Sequence, residues 1–577
     1  MLTVTRYLFY PIVLCIMVLC ISERDRNKLL SFRWMAKLEG KIEFKEAWYW
    51  PAFWIIMFWG VFARCYRFLE LPRGLNQDGM MAAVEAFCLL RDGTDQWGMT
   101  WPTYFEAWGY SQMSTLYSYL MIPFVKILGL NKLALRLPML LVSVAVLPII
   151  WDFARRILDR YYALFALLLV ATNPWQIIQS RWALEANLMP HVLLTAMYLL
   201  YIGREKRWVL YLSMVFFGLA PYAYGMSSFS LPILLLIAAG YYLMRKKVNM
   251  LDVCVCVAVF AIIVWPYYYT MIINAFGLET MMFGPFTLPY FAESNRTNDI
   301  AFMSANPYLV MLQNLYGHAS TYLFGSSSSG YNAISWAHSM YRFMPPVFIW
   351  GAYRMWRDRR VLVVCKRESS FKDAALLLFL WYGGAVINGA MVGGVINRNN
   401  AVFYPLMFFA AYGMWKMSKK LRTAAALIVA MVGISFTGLN VTYFTDEDYQ
   451  NAVAYSFREG IYEALVDTWD WDYDYYYMTY HQTEPKMMEG TVMFAHQIDY
   501  SARVEETPLN GPDGQPIDWY YTERYRFIDD IAAFELDPME CAVYIVLQSE
   551  KSYFNSQEYL IWDYGNYAVA YPRYWAE

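Results

Sequence analysis

Charged residues are scarce in this chain. They make up 16% of its 577 residues, whereas hydrophobic residues make up 59% and aromatic residues 19%. A soluble protein would carry roughly a quarter of its residues as Asp, Glu, Lys and Arg. The shortage of charge argues against an ordinary soluble fold and predicts a polytopic α-helical membrane protein.

An excess of positive charge is also lacking, because 46 Lys and Arg residues are balanced by 48 Asp and Glu residues. The sequence therefore predicts no nucleic-acid partner, which would require a concentrated basic surface. The eight cysteines show no pairing pattern, and most fall in or beside apolar segments, so no disulfide framework is predicted. Arg6 precedes an apolar run without a small-x-small cleavage site after it, which indicates an uncleaved helix.

Apolar stretches recur along the first three quarters of the chain. Crossing about 30 Å of hydrocarbon takes about 20 apolar residues. Twelve candidate stretches lie near residues 6–22, 47–66, 133–153, 161–179, 190–203, 208–224, 227–244, 251–270, 344–362, 371–391, 400–417 and 421–441. Six clusters of Lys and Arg fall beside or between them, and cytoplasmic loops are enriched in these residues. Placing all six inside predicts twelve spans in the bilayer.

A thirteenth apolar stretch, Ser114 to Leu130, does not fit this path, because a span here would reverse the side of every later basic loop. It also contains Pro123 and Lys126, so we predict an amphipathic helix at the outer membrane surface. The path places the long connections and the tail outside, at residues 67–132, 180–189, 271–343, 392–399 and 442–577.

The composition changes near residue 442, where a polar segment rich in Tyr, Trp and Asp begins. Patterns such as CAVYIVLQ and YAVAYP predict strands, and FREGIYEALVDTW predicts a helix. We therefore expect three parts. They are an extra N-terminal helix and cytoplasmic loop (1–46), a transmembrane catalytic domain (47–441) and an extracytoplasmic α/β domain (442–577).

The predicted outer loops contain polar residues of the kinds that act on sugars and phosphates. Carboxylates can take a proton from a hydroxyl, arginine binds phosphate through a fork of donors, and tryptophan stacks on sugar rings. The candidates are Asp78, Glu106, Arg181, Glu185, Asn187 and Arg398.

Structural roles are also open to these residues. Asp78 could be the N-cap of a helix from Gly79 to Leu90, accepting hydrogen bonds from its first amides. Arg181 and Arg398 could extend to lipid headgroups. The tryptophans could form an interfacial belt.

Several motifs occur in a characteristic order. An acidic residue follows the first core helix, YLMIPFVKILGLN begins at Tyr119, RLP begins at Arg136, NPW precedes SRWALEAN, and NRNNAVFYP begins at Asn397. This combination resembles the GT-C glycosyltransferases, and within them the protein O-mannosyltransferases and lipid A aminoarabinose transferases. The resemblance covers roughly residues 50–270 and the NRNNAVFYP segment.

The resemblance implies a GT-C-like fold and an inverting glycosyltransferase of a bacterial cell membrane. A sugar, mannose by default for the class, would move from a polyprenyl-phosphate donor to a protein, lipid or glycan acceptor on the outer face. Asp78 would be the general base, and Arg181 and Arg398 would bind the donor phosphate. Glu185 would orient substrate, with Asn187 and Glu106 as further binding residues.

Gly79 departs from the family pattern, which usually has a second acidic residue at this position. The departure leaves open whether a divalent metal takes part, with Asp78 and Glu185 as its ligands if it does. It also leaves open an inactive sugar-lipid binder. The sequence is further compatible with a polysaccharide ligase of related architecture and with a lipid or sugar transporter. The charges lie near span ends and no matching halves are seen, which argues against the transporter.

Overall fold

The fold is known for most of the chain. The computed structural model describes residues 8–42, 45–108, 111–292, 300–325, 330–361, 368–393, 396–480, 485–504, 524–529 and 531–576. Within these residues the chain is mostly helical, with two short hairpins among the helices and one larger sheet near the C-terminal end.

The helices as far as residue 445 form the larger part of the molecule. They are α1 (Phe9–Ile21), α2 (Glu23–Leu30), α3 (Arg33–Lys41), α4 (Tyr49–Cys65), α5 (Gln77–Arg91), α6 (Leu116–Leu128), α7 (Lys132–Ile157), α8 (Arg160–Ala171), α9 (Pro174–Gln179), α10 (Glu185–Gly203), α11 (Arg207–Ala223), α12 (Leu231–Met244), α13 (Met250–Phe276), α14 (Pro307–Leu323), α15 (Pro345–Val361), α16 (Glu368–Met391), α17 (Ile396–Asn399), α18 (Phe403–Lys420) and α19 (Arg422–Thr445). The hairpins are β1 (Phe105–Ala107) with β2 (Ser111–Met113), and β3 (Met281–Phe283) with β4 (Phe286–Leu288).

Within the residues that the structure describes, all twelve apolar stretches are helical, but the stretch at 161–179 is two helices instead of one. Asn173 follows the first and caps the second, because its side chain accepts a hydrogen bond from the Gln176 amide at 3.0 Å. Pro174 then occupies the first helical position, where its missing N–H costs nothing. The expectation of one continuous span here was wrong.

Five helices of the described residues are long and apolar enough to cross a bilayer: α7, α10, α13, the 371–391 part of α16, and α19. Helices of this length and composition support a multi-pass membrane protein. The count of twelve spans and their direction stay predictions.

The predicted surface helix is α6. It buries Tyr117, Met121 and Val125, which share one face at intervals of four residues, whereas Ile127 is 79% exposed. An apolar groove of about 510 Å³ lies beside α6 and the β3–β4 turn, and its lining is entirely apolar or aromatic. It is lined by Trp101, Tyr119, Ile122, Pro123, Pro285 and Phe286. The placement of α6 at the membrane surface stays a prediction.

The chain beyond α19 forms a mixed sheet with helices. The strands are β5 (Tyr475–Thr479), β6 (Tyr525–Ile528), β7 (Ala542–Leu547), β8 (Tyr559–Tyr564) and β9 (Tyr567–Pro572), in the order β6-β5-β7-β9-β8. The helices are α20 (Glu447–Ser456), α21 (Ile461–Asp467), α22 (Pro485–Ala495), α23 (Tyr500–Val504) and α24 (Arg573–Ala576). β5 is parallel to β6 and β7, whereas β9 is antiparallel to β7 and β8. The strands predicted from CAVYIVLQ and YAVAYP are therefore present as β7 and β9.

The two faces of this sheet belong to different hydrophobic clusters. Along β7, Val543 and Ile545 join the main core of the protein, whereas Tyr544 and Val546 join a separate cluster on the other face. Alternate residues of a strand point to opposite faces, which explains the division. One face of the sheet is thus continuous with the core of the helical part. The domain limits drawn from composition stay a prediction, and α19 itself continues to Thr445.

Candidate active site

The helix that carries Asp78 begins two residues earlier than a capping role for Asp78 would require. Asn76 is the N-cap of α5, because its side-chain oxygen accepts hydrogen bonds from the amides of Asp78 at 3.0 Å and Gly79 at 3.3 Å. Asp78 therefore lies in the first turn, with a half-buried side chain. The cap role is already filled, so capping does not account for a carboxylate at position 78.

Arg181 organises the chain that leads into this helix. Its two terminal nitrogens donate to five backbone carbonyl oxygens, those of Ala63, Arg64, Tyr66, Arg67 and Leu71. The last carbonyls of a helix lack partners within it and carry partial negative charge, so a buried guanidinium at the end of α4 is well compensated there.

This geometry bears on the phosphate-binding role predicted for Arg181. The residue is 0% exposed, and its terminal nitrogens are occupied by the backbone. The structure favours a structural role over the predicted phosphate contact. Headgroup binding is disfavoured for the same reason.

A second buried arginine supports the same segment. Arg136, from the RLP motif, donates to the carbonyl oxygens of Pro72 at 2.8 Å and Gly74 at 2.7 Å, with longer contacts to Phe68 and Leu69. Between them, Arg136 and Arg181 fix most of the path from the end of α4 to the start of α5. The RLP motif marks this structural role, which the sequence alone did not reveal.

The close packing at Gly79 explains the absence of a second acidic residue. A Cβ at this position would lie 2.8 Å from the Ala183 carbonyl oxygen and 3.0 Å from the Ala183 Cβ. Any larger side chain would push apart the starts of α5 and α10. The packing that the structure shows therefore leaves no room for a second carboxylate at position 79.

The same contact brings other candidates toward Asp78. Glu185 is the first residue of α10 and is 3% exposed, while Asn187 is fully buried and donates to the Gln179 side chain at 2.5 Å. Asn400, from the NRNNAVFYP segment, donates to the Ala186 carbonyl at 2.7 Å. The starts of α5 and α10 and the segment after α17 thus meet in one region.

Arg398 and Glu106 differ in their relation to this region. Arg398 lies in α17 with a half-buried side chain, two residues from the Asn400 contact with α10. Glu106 lies on β1, where its backbone carbonyl accepts a hydrogen bond from the Trp97 indole at 3.0 Å. The structure therefore keeps Arg398 near the candidate site and associates Glu106 with the opposite end of α5.

The second half of α5 and the loop after it contain a buried acidic cluster that was not among the site candidates drawn from the sequence. Glu85 is 0% exposed and accepts hydrogen bonds from the Gln96 amide at 3.0 Å and the Gln96 side chain at 2.5 Å. Asp95 accepts from the amides of Trp97 and Met99. Burial raises the pKa of Asp95 to about 7, and burial together with the Asp95 charge raises the pKa of Glu85 well above its usual value.

The C-terminal region covers both ends of α5. At the acidic cluster, Arg503 stacks on the Trp97 ring with 4.0 Å between the guanidinium carbon and the ring centre, and it pairs with Glu489 at 3.1 Å. At the Asp78 end, the Leu75 amide donates to the Phe457 carbonyl at 2.8 Å, and Arg458 donates to the Gln77 side chain at 2.8 Å. Arg458 was not among the residues singled out from the sequence.

A dedicated metal centre does not form in the described part of the chain, where no group of three or more His, Cys, Asp or Glu residues could hold an ion. Asp78 and Glu185 alone would suit at most a Mg²⁺ that keeps most of its ligands as water or substrate phosphate. The protein part of the site therefore consists of carboxylates, amides and arginines.

Residues 113–268 match the family model of dolichyl-phosphate-mannose-protein mannosyltransferases. The matched region runs from β2 to α13 and includes the RLP, NPW and SRWALEAN motifs. Over this region the match supports the class that these motifs indicated, that of the GT-C membrane glycosyltransferases.

ArnT from Cupriavidus metallidurans, in its apo state and bound to undecaprenyl phosphate, is 10% identical, with 91% of this chain and 97% of that chain covered and a TM-score of 0.48. The archaeal oligosaccharyltransferase AglB from Archaeoglobus fulgidus, in complex with an inhibitory peptide and a dolichol-phosphate, is 13% identical, with 80% and 65% covered and a TM-score of 0.47. No curated protein matches the sequence.

Proposed function

We propose that this protein transfers a sugar from a polyprenyl-phosphate donor to a hydroxyl group of an acceptor, with Asp78 as the general base. The observation that carries the proposal is the position of Asp78. It is a half-buried carboxylate in the first helical turn, where Asn76 already fills the cap and the start of α10 packs alongside. A carboxylate that is not needed for capping suits the role of a general base better than a purely structural role.

The chemistry needs few catalytic groups. Asp78 takes the proton of the acceptor hydroxyl as its oxygen attacks the anomeric carbon of the sugar. The bond between that carbon and the phosphate oxygen breaks, and polyprenyl phosphate leaves with the electron pair. Attack from the side opposite the phosphate inverts the anomeric carbon. The leaving group is already good, so the remaining need is positive charge near the phosphate.

The residues around Asp78 suit the other parts of the donor. Glu185 offers a carboxylate of the kind that binds sugar hydroxyls, and Arg398 remains a candidate for the phosphate. Asn187 is fully buried and donates to Gln179, so its predicted contact with the substrate is less favoured. The apolar groove beside α6 offers a surface of the kind that holds a hydrocarbon chain. The match to a dolichyl-phosphate-mannose family favours mannose as the sugar.

We place the reaction on the outer face of the membrane, because the basic clusters of the sequence favour an inside location for the opposite loops. The acceptor is a protein, a lipid or a glycan that reaches this face. Mass spectrometry of the lipid that co-purifies with the protein would identify the donor carrier and its sugar.

The decisive test is Asp78→Asn, which keeps the shape of the side chain and leaves the Asn76 cap intact. Loss of a general base lowers rates by about 10²- to 10⁴-fold, so transfer should fall by that factor while binding of polyprenyl phosphate is retained. Transfer would be measured with the co-purified donor, and folding by thermal melting.

Asn76→Ala is the matched control. It removes the cap at a cost of about 1 kcal/mol in stability but keeps the carboxylate, so it should lower the melting temperature and leave most of the transfer rate. Near-normal transfer by a folded Asp78→Asn protein would refute the base assignment.

A further inference from the structure

Arg458 is a nearly buried cation with weak partners. It is 8% exposed, and its guanidinium donates to the Gln77 side-chain oxygen at 2.8 Å and to the thioether sulfurs of Met487 at 3.3 Å and Met488 at 3.9 Å. Thioethers are weak acceptors. Within the residues that the structure describes, no carboxylate forms an ion pair with it, although the charge of Asp78 acts on it.

The other buried arginines have stronger partners than Arg458 has. Arg64, Arg136 and Arg181 are at most 1% exposed, and each donates to several backbone carbonyl oxygens. Arg503, from the same C-terminal region as Arg458, pairs with a carboxylate. A buried charge without such compensation is costly, so its presence beside a candidate base needs an explanation other than stability.

The segment that carries Arg458 is held firmly against the loop before α5. The Phe457 carbonyl accepts from the Leu75 amide, and Glu459 pairs with Arg73 at 3.4 Å. A Cβ on Gly74 would lie 2.3 Å from the Phe457 carbonyl oxygen, so only glycine permits this approach. Arg458 itself has a φ of 51°, in the left-handed region, which costs about 1 kcal/mol or more for a residue with a side chain.

We propose that Arg458 binds the phosphate of the polyprenyl-phosphate donor beside Asp78, so that the C-terminal region supplies part of the donor site. This inference rests on the proposed function and adds to it the residue that provides positive charge. Arg458 takes the role first expected of Arg181.

The charges support this arrangement. A carboxylate base and a phosphate in one site repel each other, and a cation that faces both offsets the repulsion. A guanidinium can keep one nitrogen on Gln77 and turn another toward a phosphate oxygen, because it has donors on three nitrogens in a fixed plane. The contact with Gln77 would also link phosphate binding to the helical turn that holds Asp78.

Binding of undecaprenyl phosphate to the full-length protein in detergent tests the proposal without any need to know the sugar or the acceptor. Arg458→Gln should weaken this binding by about tenfold or more, because loss of a charge-assisted contact costs about 1.5 kcal/mol or more. Undecaprenol, which lacks the phosphate, should bind the variant and the wild type alike.

Arg503→Gln is the matched control, since it removes an arginine of the same region that is equally buried. It should lower the melting temperature but keep the affinity of the folded protein for undecaprenyl phosphate. Arg458→Lys keeps the charge without the planar fork and should weaken binding by about threefold to tenfold. It decides the matter if Arg458→Gln does not fold.

The outcomes separate the two proposals. Wild-type affinity in a folded Arg458→Gln or Arg458→Lys protein would overturn the role of Arg458 while leaving the proposed function intact. A folded wild-type protein that does not bind undecaprenyl phosphate would overturn both. Loss of transfer in Asp78→Asn with retained phosphate binding would support the base assignment independently of Arg458.

Discussion

The two ends of α5 are covered by the same C-terminal region but are built for different purposes. Beside the acidic cluster, Arg503 pairs with Glu489 and stacks on Trp97. Glu85 and Asp95 accept hydrogen bonds there. At the Asp78 end, Arg458 donates to the side-chain oxygen of Gln77 and to two methionine sulfurs. Arg503 thus has a carboxylate partner, whereas no ion pair with a carboxylate is seen for Arg458 among the described residues. This difference makes Arg458 the better candidate for binding an anionic ligand.

The largest effect is expected from removing the C-terminal region. Deleting residues 446–577 would remove the Phe457 carbonyl that accepts from the Leu75 amide, together with Arg458 and Arg503. It would also expose the part of the helical core that packs against the sheet. We expect loss of donor binding as well as transfer. Binding of undecaprenyl phosphate by the deleted protein would be measured alongside its melting temperature. A folded deletion variant with normal phosphate affinity would show that the region is an accessory.

Much of the helical part was predictable from the sequence, because its signals are local. The apolar stretches and the apolar run CAVYIVLQ act over a few residues. The cap at Asn173, which divides the stretch at 161–179, was not foreseen. The family motifs also singled out Asp78 before its surroundings were known.

The contacts that give the candidate site its form were not predictable, because they join distant segments. Arg458 meets Gln77 across 381 positions of sequence, and Arg181 reaches back to Ala63 across 118. An arginine in a polar loop looks the same in the sequence whether backbone carbonyls or a phosphate occupy its nitrogens. Only the fold distinguishes Arg181 from Arg458.

A smaller effect than the deletion is expected from Arg181→Gln, which contrasts a structural arginine with Arg458. Five carbonyl oxygens lose their donor, and breaking such a buried network costs about 3–5 kcal/mol. We expect a lower melting temperature and lower yield. The affinity of the remaining folded protein for undecaprenyl phosphate should equal that of the wild type. A selective loss of affinity at normal stability would restore the phosphate role of Arg181.

The smallest effect concerns pH and the acidic end of α5. Burial raises the pKa of Asp95 to about 7, and it raises the pKa of Glu85 well above its usual value. The folded state therefore holds protons that the unfolded state releases, so stability is present at low pH and falls as pH rises from about 4 toward 7. The charge of Arg503 opposes this shift at Asp95, and that of Glu106 adds to it.

Melting temperatures measured between pH 5 and pH 8 would reveal this dependence. Asp95→Asn keeps an oxygen for the Trp97 and Met99 amides but cannot ionise, so the fall in melting temperature with rising pH should become shallower. Asp92→Asn is the control, because it removes a carboxylate of the same loop that is not part of the buried pair. It should leave the slope of melting temperature against pH unchanged. An Asp95→Asn protein with the wild-type slope would show that Asp95 is not the group whose ionisation weakens this end of α5. Phosphate affinity should be the same in both variants, because Asp92 and Asp95 follow the last residue of α5, at the opposite end of the helix from Asp78.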